Sequence, residues 1–164
     1  MLAGIEKKQL TTHFDERGFF TELLRQDWLG DDTMRQSNFS ISYPGTIRAW
    51  HRHTRGQVDH FVVLQGAIKL CAYDNSIQEL DEIVLTSGVL QSIKMPGHYW
   101  HGFKVLGEER AYLVYFVNKL YDYADPDEER RPWNDSTVFP RVINGASDDP
   151  RCGKPWDWNY SGFK

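Results

Sequence analysis

The chain has 164 residues, of which 40% are hydrophobic and 14% aromatic, which is typical of one globular domain with its own core. Its formal net charge of -4 gives no basic field for a polynucleotide, so we expect no nucleic-acid partner. The sequence has no apolar run as long as a membrane span and no apolar N-terminal signal segment. We therefore expect a single domain over residues 1–164, a cytoplasmic location and no membrane partner.

Short strand-like runs separated by Gly and Pro turns fill most of the chain. Asp15–Gly18 indicates a turn between two extended pieces, and the polar–apolar alternation of Gln36–Ser42 predicts a strand with one polar face. Further runs are His60–Leu64, Ala67–Tyr73, Glu82–Thr86, Leu90–Lys94, Gly102–Leu106 and Ala111–Asn118. This spacing predicts an all-β sandwich or barrel, with the jelly roll as its simplest closed form. From Tyr121 onward the composition predicts an irregular, aromatic-rich tail.

The stretch from Gly45 to Gly66 carries two histidines that could share a pocket. If its first part is extended, Arg48 alternates with its neighbours, and His51 and His53 share one face because side chains repeat every second residue. A further histidine, His101, follows a Pro-Gly turn in a similar apolar setting. The chain is therefore expected to bring several imidazoles together.

Two kinds of chemistry remain open for these imidazoles. The H-x-H pair followed by Asp59, together with P-G-x3-H, resembles the motifs of metal-binding cupins, and such ligands suit iron, manganese, nickel or zinc. Metal cupins usually have a glutamate shortly after the second histidine, however, where this chain has Gln57 and Val58. The alternative is proton transfer at a carbon next to a carbonyl, which needs a base, an oxyanion donor and an acid on the opposite face. His and Tyr side chains, including Tyr115, can supply these roles.

Five motifs in order along the chain resemble those of the dTDP-4-dehydrorhamnose 3,5-epimerase family. They are D-E-R-G-F-F-T-E at Asp15–Glu22, Q-S-N-F-S at Gln36–Ser40, G-T-I-R-A-W-H at Gly45–His51, P-G-H-Y-W-H-G-F at Pro96–Phe103 and D-P-D-E-E-R-R-P-W-N-D at Asp125–Asp135. The resemblance implies a cupin-type jelly roll and a homodimer. It also implies an isomerase that acts without metal or cofactor on a nucleotide-linked 4-keto-6-deoxy sugar, with a place in deoxysugar and polysaccharide biosynthesis.

The same resemblance assigns the proton-transfer groups residue by residue. It makes His51 the base that removes the proton next to the keto group, paired with Asp149, or with Asp148, near the C-terminus. It makes Tyr115 the acid on the far face of the sugar, with Tyr112 as a lesser candidate.

The resemblance also implies the residues that hold the substrate. His101, which we count with His51, Tyr115 and Asp149 among the catalytic residues, matches a second pocket histidine near a sugar oxygen. Arg48 matches the arginine that contacts the diphosphate. Residues that match nucleotide-binding positions, some of them reached from the partner subunit, are Arg17, Phe19, Glu22, Gln36 and Asn38.

Two pocket positions depart from the family pattern. Asp59 stands where the family has a catalytic lysine, so an anion replaces the expected ammonium. His53 stands where the family usually has glutamine. The resulting H-x-H resembles the sugar 3,4-ketoisomerases, and we count both residues among those that face the substrate. We expect a 3,5-epimerase or single-carbon epimerase; the alternatives are a 3,4-ketoisomerase, a metal-dependent cupin enzyme and a non-catalytic sugar-nucleotide binding module.

Overall fold

The structure is a computed structural model that describes residues 1–160, and it is built almost entirely of β-strands. In chain order these are β1 (Glu6–Gln9), β2 (Thr12–Asp15), β3 (Gly18–Thr21), β4 (Gln36–Ser42), β5 (Ile47–Arg52), β6 (Val58–Gln65), β7 (Ala67–Asp74), β8 (Glu79–Thr86), β9 (Gln91–Pro96), β10 (Trp100–Leu106), β11 (Ala111–Val117), β12 (Glu129–Arg130) and β13 (Val142–Ile143). A 3-10 turn at Gln26–Trp28 lies between β3 and β4. The prediction of an all-β domain is confirmed.

Two sheets face each other across the main core. One has the strand order β1-β9-β6-β11-β4 and the other β12-β5-β10-β7-β8-β13, while β2 and β3 form a separate hairpin. All pairs are antiparallel except the short contact of β13 with β8. Alternate residues of each sheet point inward and exclude water between the layers, among them Phe61, Ile93 and Leu113 from one sheet and Leu70 and Val105 from the other.

The C-terminal tail covers the outer face of the six-stranded sheet. Trp156 and Trp158 pack there against Trp50 and Tyr73, and the ring centroids of Trp50 and Trp158 lie 4.7 Å apart. Burying such large aromatic rings is worth several kcal/mol, roughly 3–5 for the loss of one tryptophan side chain, so the tail is a structural part of the domain. Within the described residues, no helix has the length and apolar character needed to cross a membrane.

Strand β5 contains a bulge opposite Gly102, where its register with β10 shifts by one residue. The added residue lets Arg48 and His51 line the same cavity, although regular alternation would place them on opposite faces. Trp50, between them, is buried in the outer core. Gly102 is required here because a Cβ at this position would lie 2.4 Å from the Cβ of Ala49. The bulge therefore directs Arg48 and His51 toward one cavity.

Candidate active site

A cavity of about 720 Å³ opens between the two sheets, and its volume falls within the usual range for ligand pockets. Its walls combine imidazole, phenol, amide, carboxylate and guanidinium groups. The six-stranded sheet contributes Arg48, His51 and His101; the five-stranded sheet contributes Gln36, Asn38, Asp59 and Tyr115; His53 and Gln57 come from the β5–β6 connection; and the tail adds Tyr121, Tyr123, Glu128 and Arg130. The expected gathering of three histidines is thus present.

His101 is wholly buried, and a backbone carbonyl fixes its ring. Its Nδ1 lies 2.9 Å from the carbonyl oxygen of Tyr99. Because a carbonyl only accepts hydrogen bonds, Nδ1 must carry the hydrogen and donate it. The other nitrogen, Nε2, has no hydrogen-bond partner among residues 1–160 and lies 3.5 Å from Oδ2 of Asp59. The ring therefore presents Nε2 to a carboxylate.

His53 is held in the same manner. Its Nδ1 donates to the backbone carbonyl of Asp127, and its Nε2 lies 3.1 Å from the amide nitrogen of Gln57. The same Nε2 is 3.8 Å from Oδ2 of Asp59, while Oδ1 of Asp59 accepts a 2.8 Å hydrogen bond from Gln57. Asp59 is 2% exposed, so water does little to screen the carboxylate. Two fixed imidazoles thus converge on one buried carboxylate.

His51 is half-buried, and its ring centroid lies 4.2 Å from that of His101. Burial lowers the pKa of His51 well below its usual value, and His101, His53 and Arg130 lower it further. The imidazole is therefore neutral at neutral pH and carries a lone pair. His53 and His101 each donate a hydrogen bond to a backbone carbonyl. In the described part of the chain, neither ring nitrogen of His51 makes such a bond.

Tyr115 approaches the cavity from the opposite sheet. It lies on β11 in register with Asn38 of β4 and Phe61 of β6. Burial raises the pKa of its phenol, and the charge of Asp59 raises it further, so the group keeps its proton and can donate it. Tyr112 instead packs edge-on against Phe39, with ring centroids 5.8 Å apart, and does not line the cavity. Of the two candidate tyrosines, the pocket contains Tyr115.

The predicted pairing of Asp149 with His51 is wrong. The Asp149 carboxylate accepts two hydrogen bonds from the Arg151 guanidinium, at 2.9 and 2.8 Å, and Arg151 also donates to Glu82. Asp148 is exposed, and neither carboxylate lines the cavity. The tail turns so that Asp149 meets the guanidinium of Arg151, two residues further along the chain. The carboxylate beside the histidines is Asp59.

Sequence reasoning missed two groups that shape the site. The carbonyl of Asp127 fixes the tautomer of His53, and the amide of Gln57 bridges His53 and Asp59. Asp127 lies in the Asp125–Asp135 motif, but its contact to His53 comes from a backbone carbonyl, which every residue type has. The identity of the residue therefore could not predict this contact. Gln57 was noted only as the occupant of a missing glutamate position.

A sequence profile of the polysaccharide biosynthesis C-terminal domain family matches residues 13–129, which is most of the chain. The chain belongs to this family. It is 42% identical over 136 residues to the probable low-salt glycan biosynthesis epimerase Agl13 of Haloferax volcanii, with 79% of this chain and 87% of that protein covered. It is 34% identical over 143 residues to the spore coat polysaccharide biosynthesis protein SpsL of Bacillus subtilis, with 84% and 94% covered.

Solved structures agree with this assignment. The dTDP-6-deoxy-D-glucose-3,5-epimerase of Legionella pneumophila, in complex with dTDP-4-keto-L-rhamnose, is 25% identical, with a TM-score of 0.72 and coverage of 82% of this chain and 76% of that chain. A dTDP sugar isomerase of Desulfovibrio desulfuricans shares the fold, with a TM-score of 0.75, 22% identity and coverage of 83% and 88%. The predicted cupin-type jelly roll, the resemblance to the 3,5-epimerase family and the epimerase or isomerase class are confirmed.

The predicted nucleotide-binding residues fall into two groups in this family member. Gln36 and Asn38 line the cavity, and a 2.9 Å hydrogen bond joins their side chains. Arg17, Phe19 and Glu22 do not line the cavity of their own chain. Arg17 binds Asp15, Glu22 binds Arg25, and Phe19 is 66% exposed; all three belong to the hairpin or the residue after it. Their predicted contribution to a partner's pocket stays a prediction.

Asp149→Asn is expected to destabilise the fold by about 1–3 kcal/mol, since it breaks charge-assisted hydrogen bonds with Arg151, and to leave the pocket intact. The Arg151 guanidinium lowers the pKa of Asp149, so this stabilisation is present above the unfolded-state pKa and is lost as the pH falls through the lower folded-state pKa. Urea unfolding over an acid pH series should show the wild type and the variant converging in stability. A large loss of isomerase activity at neutral pH, in a folded variant, would contradict this assignment.

Proposed function

We propose that the chain epimerises or isomerises a nucleotide-linked 4-keto-6-deoxy hexose by enolisation in the cavity between its two sheets. The observation that carries this proposal is the placement of a neutral imidazole, His51, and a protonated phenol, Tyr115, on facing walls of one pocket. Inversion at a carbon next to a carbonyl needs a base on one face and an acid on the other. A histidine and a tyrosine that served only to fill the core would have no reason to face each other across an open cavity.

The proposed reaction uses these two groups in sequence. His51 takes the proton from the carbon next to the keto group, and the electron pair of the broken C–H bond moves into the enolate. Tyr115 then donates its proton to the same carbon from the opposite face, which inverts the configuration and restores the ketone. His51 and Tyr115 exchange protons with solvent afterwards, so the net reaction adds and removes nothing from the sugar.

The polar groups of the cavity support a nucleotide-linked sugar as the substrate. The Legionella pneumophila relative was solved with dTDP-4-keto-L-rhamnose, which makes a dTDP sugar the first choice. The Arg48 side chain lines the cavity, and a guanidinium fork suits a diphosphate. The amides of Gln36 and Asn38 add donors and acceptors on the opposite sheet.

A homodimer and a cytoplasmic location complete the proposal. The exposed outer face of β4 carries Phe39, at 58% exposure, and Ile41, at 41%, which provides apolar area that a second copy could cover. In such a dimer, the hairpin with Arg17 and Phe19 would reach the partner's pocket.

Isotope exchange tests the proposed function directly. After incubation with dTDP-4-keto-6-deoxyglucose in deuterated water, NMR should detect deuterium at carbon 3, carbon 5 or both, above an enzyme-free control. Because Asp59 replaces the family's lysine, exchange at a single carbon is the expected pattern. The proposal fails if no nucleotide-linked keto sugar exchanges. Movement of the carbonyl to carbon 3 would identify a ketoisomerase, and tight binding without any change would identify a binding module.

A further inference from the structure

The short strand β12 sets a guanidinium beside the proposed base. It pairs antiparallel with β5, and Arg130 lies directly opposite His51 in this ladder. Directly opposed residues share one face of a sheet, with Cβ atoms about 4.5–5.5 Å apart. Arg130 and His51 both line the cavity. The next pair, Glu129 and Arg52, therefore points to the other face, where a 2.6 Å salt bridge joins the two side chains.

The backbone of the following residue fixes this placement. The amide nitrogen of Trp50 donates to the carbonyl of Arg131 at 3.1 Å, and the amide nitrogen of Arg131 donates to the carbonyl of Trp50 at 2.9 Å. The guanidinium of Arg131 stacks on Trp100, 3.9 Å from the ring centroid, and so has another role. The backbone of Arg130 is thus held against β5, while its side chain is 75% exposed and has room to meet a ligand.

Among residues 1–160, the Arg130 side chain has a single hydrogen-bond partner. Its Nη2 donates to the carboxylate of Glu128 at 2.8 Å, and Glu128 also lines the cavity. A bridge to a guanidinium this exposed is weak, because water screens the charge and competes for the donors. Nε and Nη1 of Arg130 make no hydrogen bond to a described residue. The guanidinium can therefore bind an oxygen atom of a molecule in the cavity.

The cavity lacks the ammonium that the family pattern supplies. Asp59 stands at that position, and no lysine of the described chain lines the cavity. Arg48 is the residue proposed for the diphosphate, and its Nε donates to Ser42 at 3.1 Å. Arg130 is thus a cation beside the base whose charge the proposed reaction has not yet used.

We propose that Arg130 is a further catalytic residue, whose guanidinium binds the keto oxygen as negative charge develops there. This inference rests on the proposed function. When His51 takes the proton, the electron pair of the broken C–H bond forms the double bond of the enolate, and the π electrons of the carbonyl move onto its oxygen. That oxygen is two bonds from the carbon that loses the proton, so a cation beside the base is within reach of it. Arg130 donates hydrogen bonds and keeps its own protons.

The same guanidinium acts on His51. Burial lowers the pKa of His51 well below its usual value, and His101, His53 and Arg130 lower it further. Loss of Arg130 should therefore raise the pKa of His51 and move the acid limb of the kcat/KM profile to higher pH, because that limb reports the base of the free enzyme. The other titratable groups of the cavity around His51 stay in place in such a variant; they are His53, Asp59 of β6, His101 of β10, Tyr115 of β11 and Glu128.

Arg130→Met tests this role, with deuterium exchange into dTDP-4-keto-6-deoxyglucose as the assay. Methionine keeps an apolar stem but no charge, so kcat should fall by about 10²-fold, the lower end for loss of one oxyanion donor, because the guanidinium is partly in water. KM should change less, since the charge on oxygen develops only in the transition state. Arg130→Lys keeps a positive charge, so it should retain the acid limb of the wild type and exchange deuterium faster than Arg130→Met.

Arg52→Met is the matched control. Arg52 also joins β5 to β12, but its salt bridge to Glu129 lies outside the cavity wall. We expect Arg52→Met to keep the kcat and the acid limb of the wild type. If Arg130 served only to anchor β12, Arg52→Met would lower kcat as much as Arg130→Met does, and this result would overturn the inference. Circular dichroism checks that each variant is folded.

The remaining outcomes separate this inference from the proposed function. If the wild type exchanges deuterium and folded Arg130→Met keeps kcat within about threefold, the inference is overturned and the proposed function stands. A raised KM with unchanged kcat overturns it as well, because the guanidinium would then bind substrate and transition state equally. If the wild type exchanges no nucleotide-linked keto sugar, the proposed function fails, and the role of Arg130 fails with it.

Discussion

His51→Asn is expected to slow deuterium incorporation into dTDP-4-keto-6-deoxyglucose by about 10²–10⁴-fold, the usual contribution of a positioned general base. The neutral ring of His51 lines the cavity, and no carbonyl in the described chain ties down its nitrogens. Asparagine keeps a polar side chain of similar width but cannot take a proton near neutral pH. The rate is measured by NMR as loss of the proton signal next to the keto group.

His98→Asn serves as the control for this substitution, because His98 is exposed and absent from the cavity wall. A folded His51→Asn variant that exchanges deuterium within tenfold of the wild-type rate would remove His51 from the role of base.

Tyr115→Phe should separate proton exchange from inversion. The phenol is expected to supply the proton on the far face, so its loss should reduce the inverted product by about 10²–10⁴-fold. His51 remains in this variant and can return a deuteron to the face from which it took the proton. Deuterium should therefore still enter the substrate with its configuration retained, which NMR coupling constants distinguish from epimerised product.

Tyr112→Phe is the matched control, since the Tyr112 ring packs on Phe39 outside the cavity. It should leave both exchange and inversion unchanged. If Tyr112→Phe loses inversion and Tyr115→Phe does not, the acid has been assigned to the wrong tyrosine. Loss of exchange and inversion together in a folded Tyr115→Phe protein would show that the phenol takes part in proton removal as well.

Strand β4 shows how far the alternation of residue types carries in this protein. The sequence predicted Gln36–Ser42 with one polar face, and β4 has these bounds. The polar side chains Gln36 and Asn38 face the cavity, while Phe39 is exposed on the outer face. A sequence period of two suffices to predict the strand, because successive side chains point to opposite faces of the sheet. The period does not show which face of the strand meets solvent, and in β4 the apolar face is the exposed one.

The positions of Arg48 and Asp149 could not be obtained in this way. Arg48 reaches the cavity because β5 bulges against Gly102 of another strand, and register between strands depends on both partners. Asp149 was assigned to His51 by alignment of an acidic pair in an irregular tail, where no periodicity fixes a direction. In the fold, the nearby Arg151 takes that carboxylate. Pairings of this kind become visible only when the whole chain is in place.

The short strand β12 and the residues before it link the edge of the fold to the chemistry of a buried ring. Asp127 accepts hydrogen bonds from the backbone nitrogens of Thr54 and Arg55 through its carboxylate and from His53 through its carbonyl, and β12 adds two ladder positions on β5. A short segment at the sheet edge therefore sets which nitrogen of His53 carries the hydrogen. Local opening of this segment would release the His53 tautomer without unfolding the two main sheets.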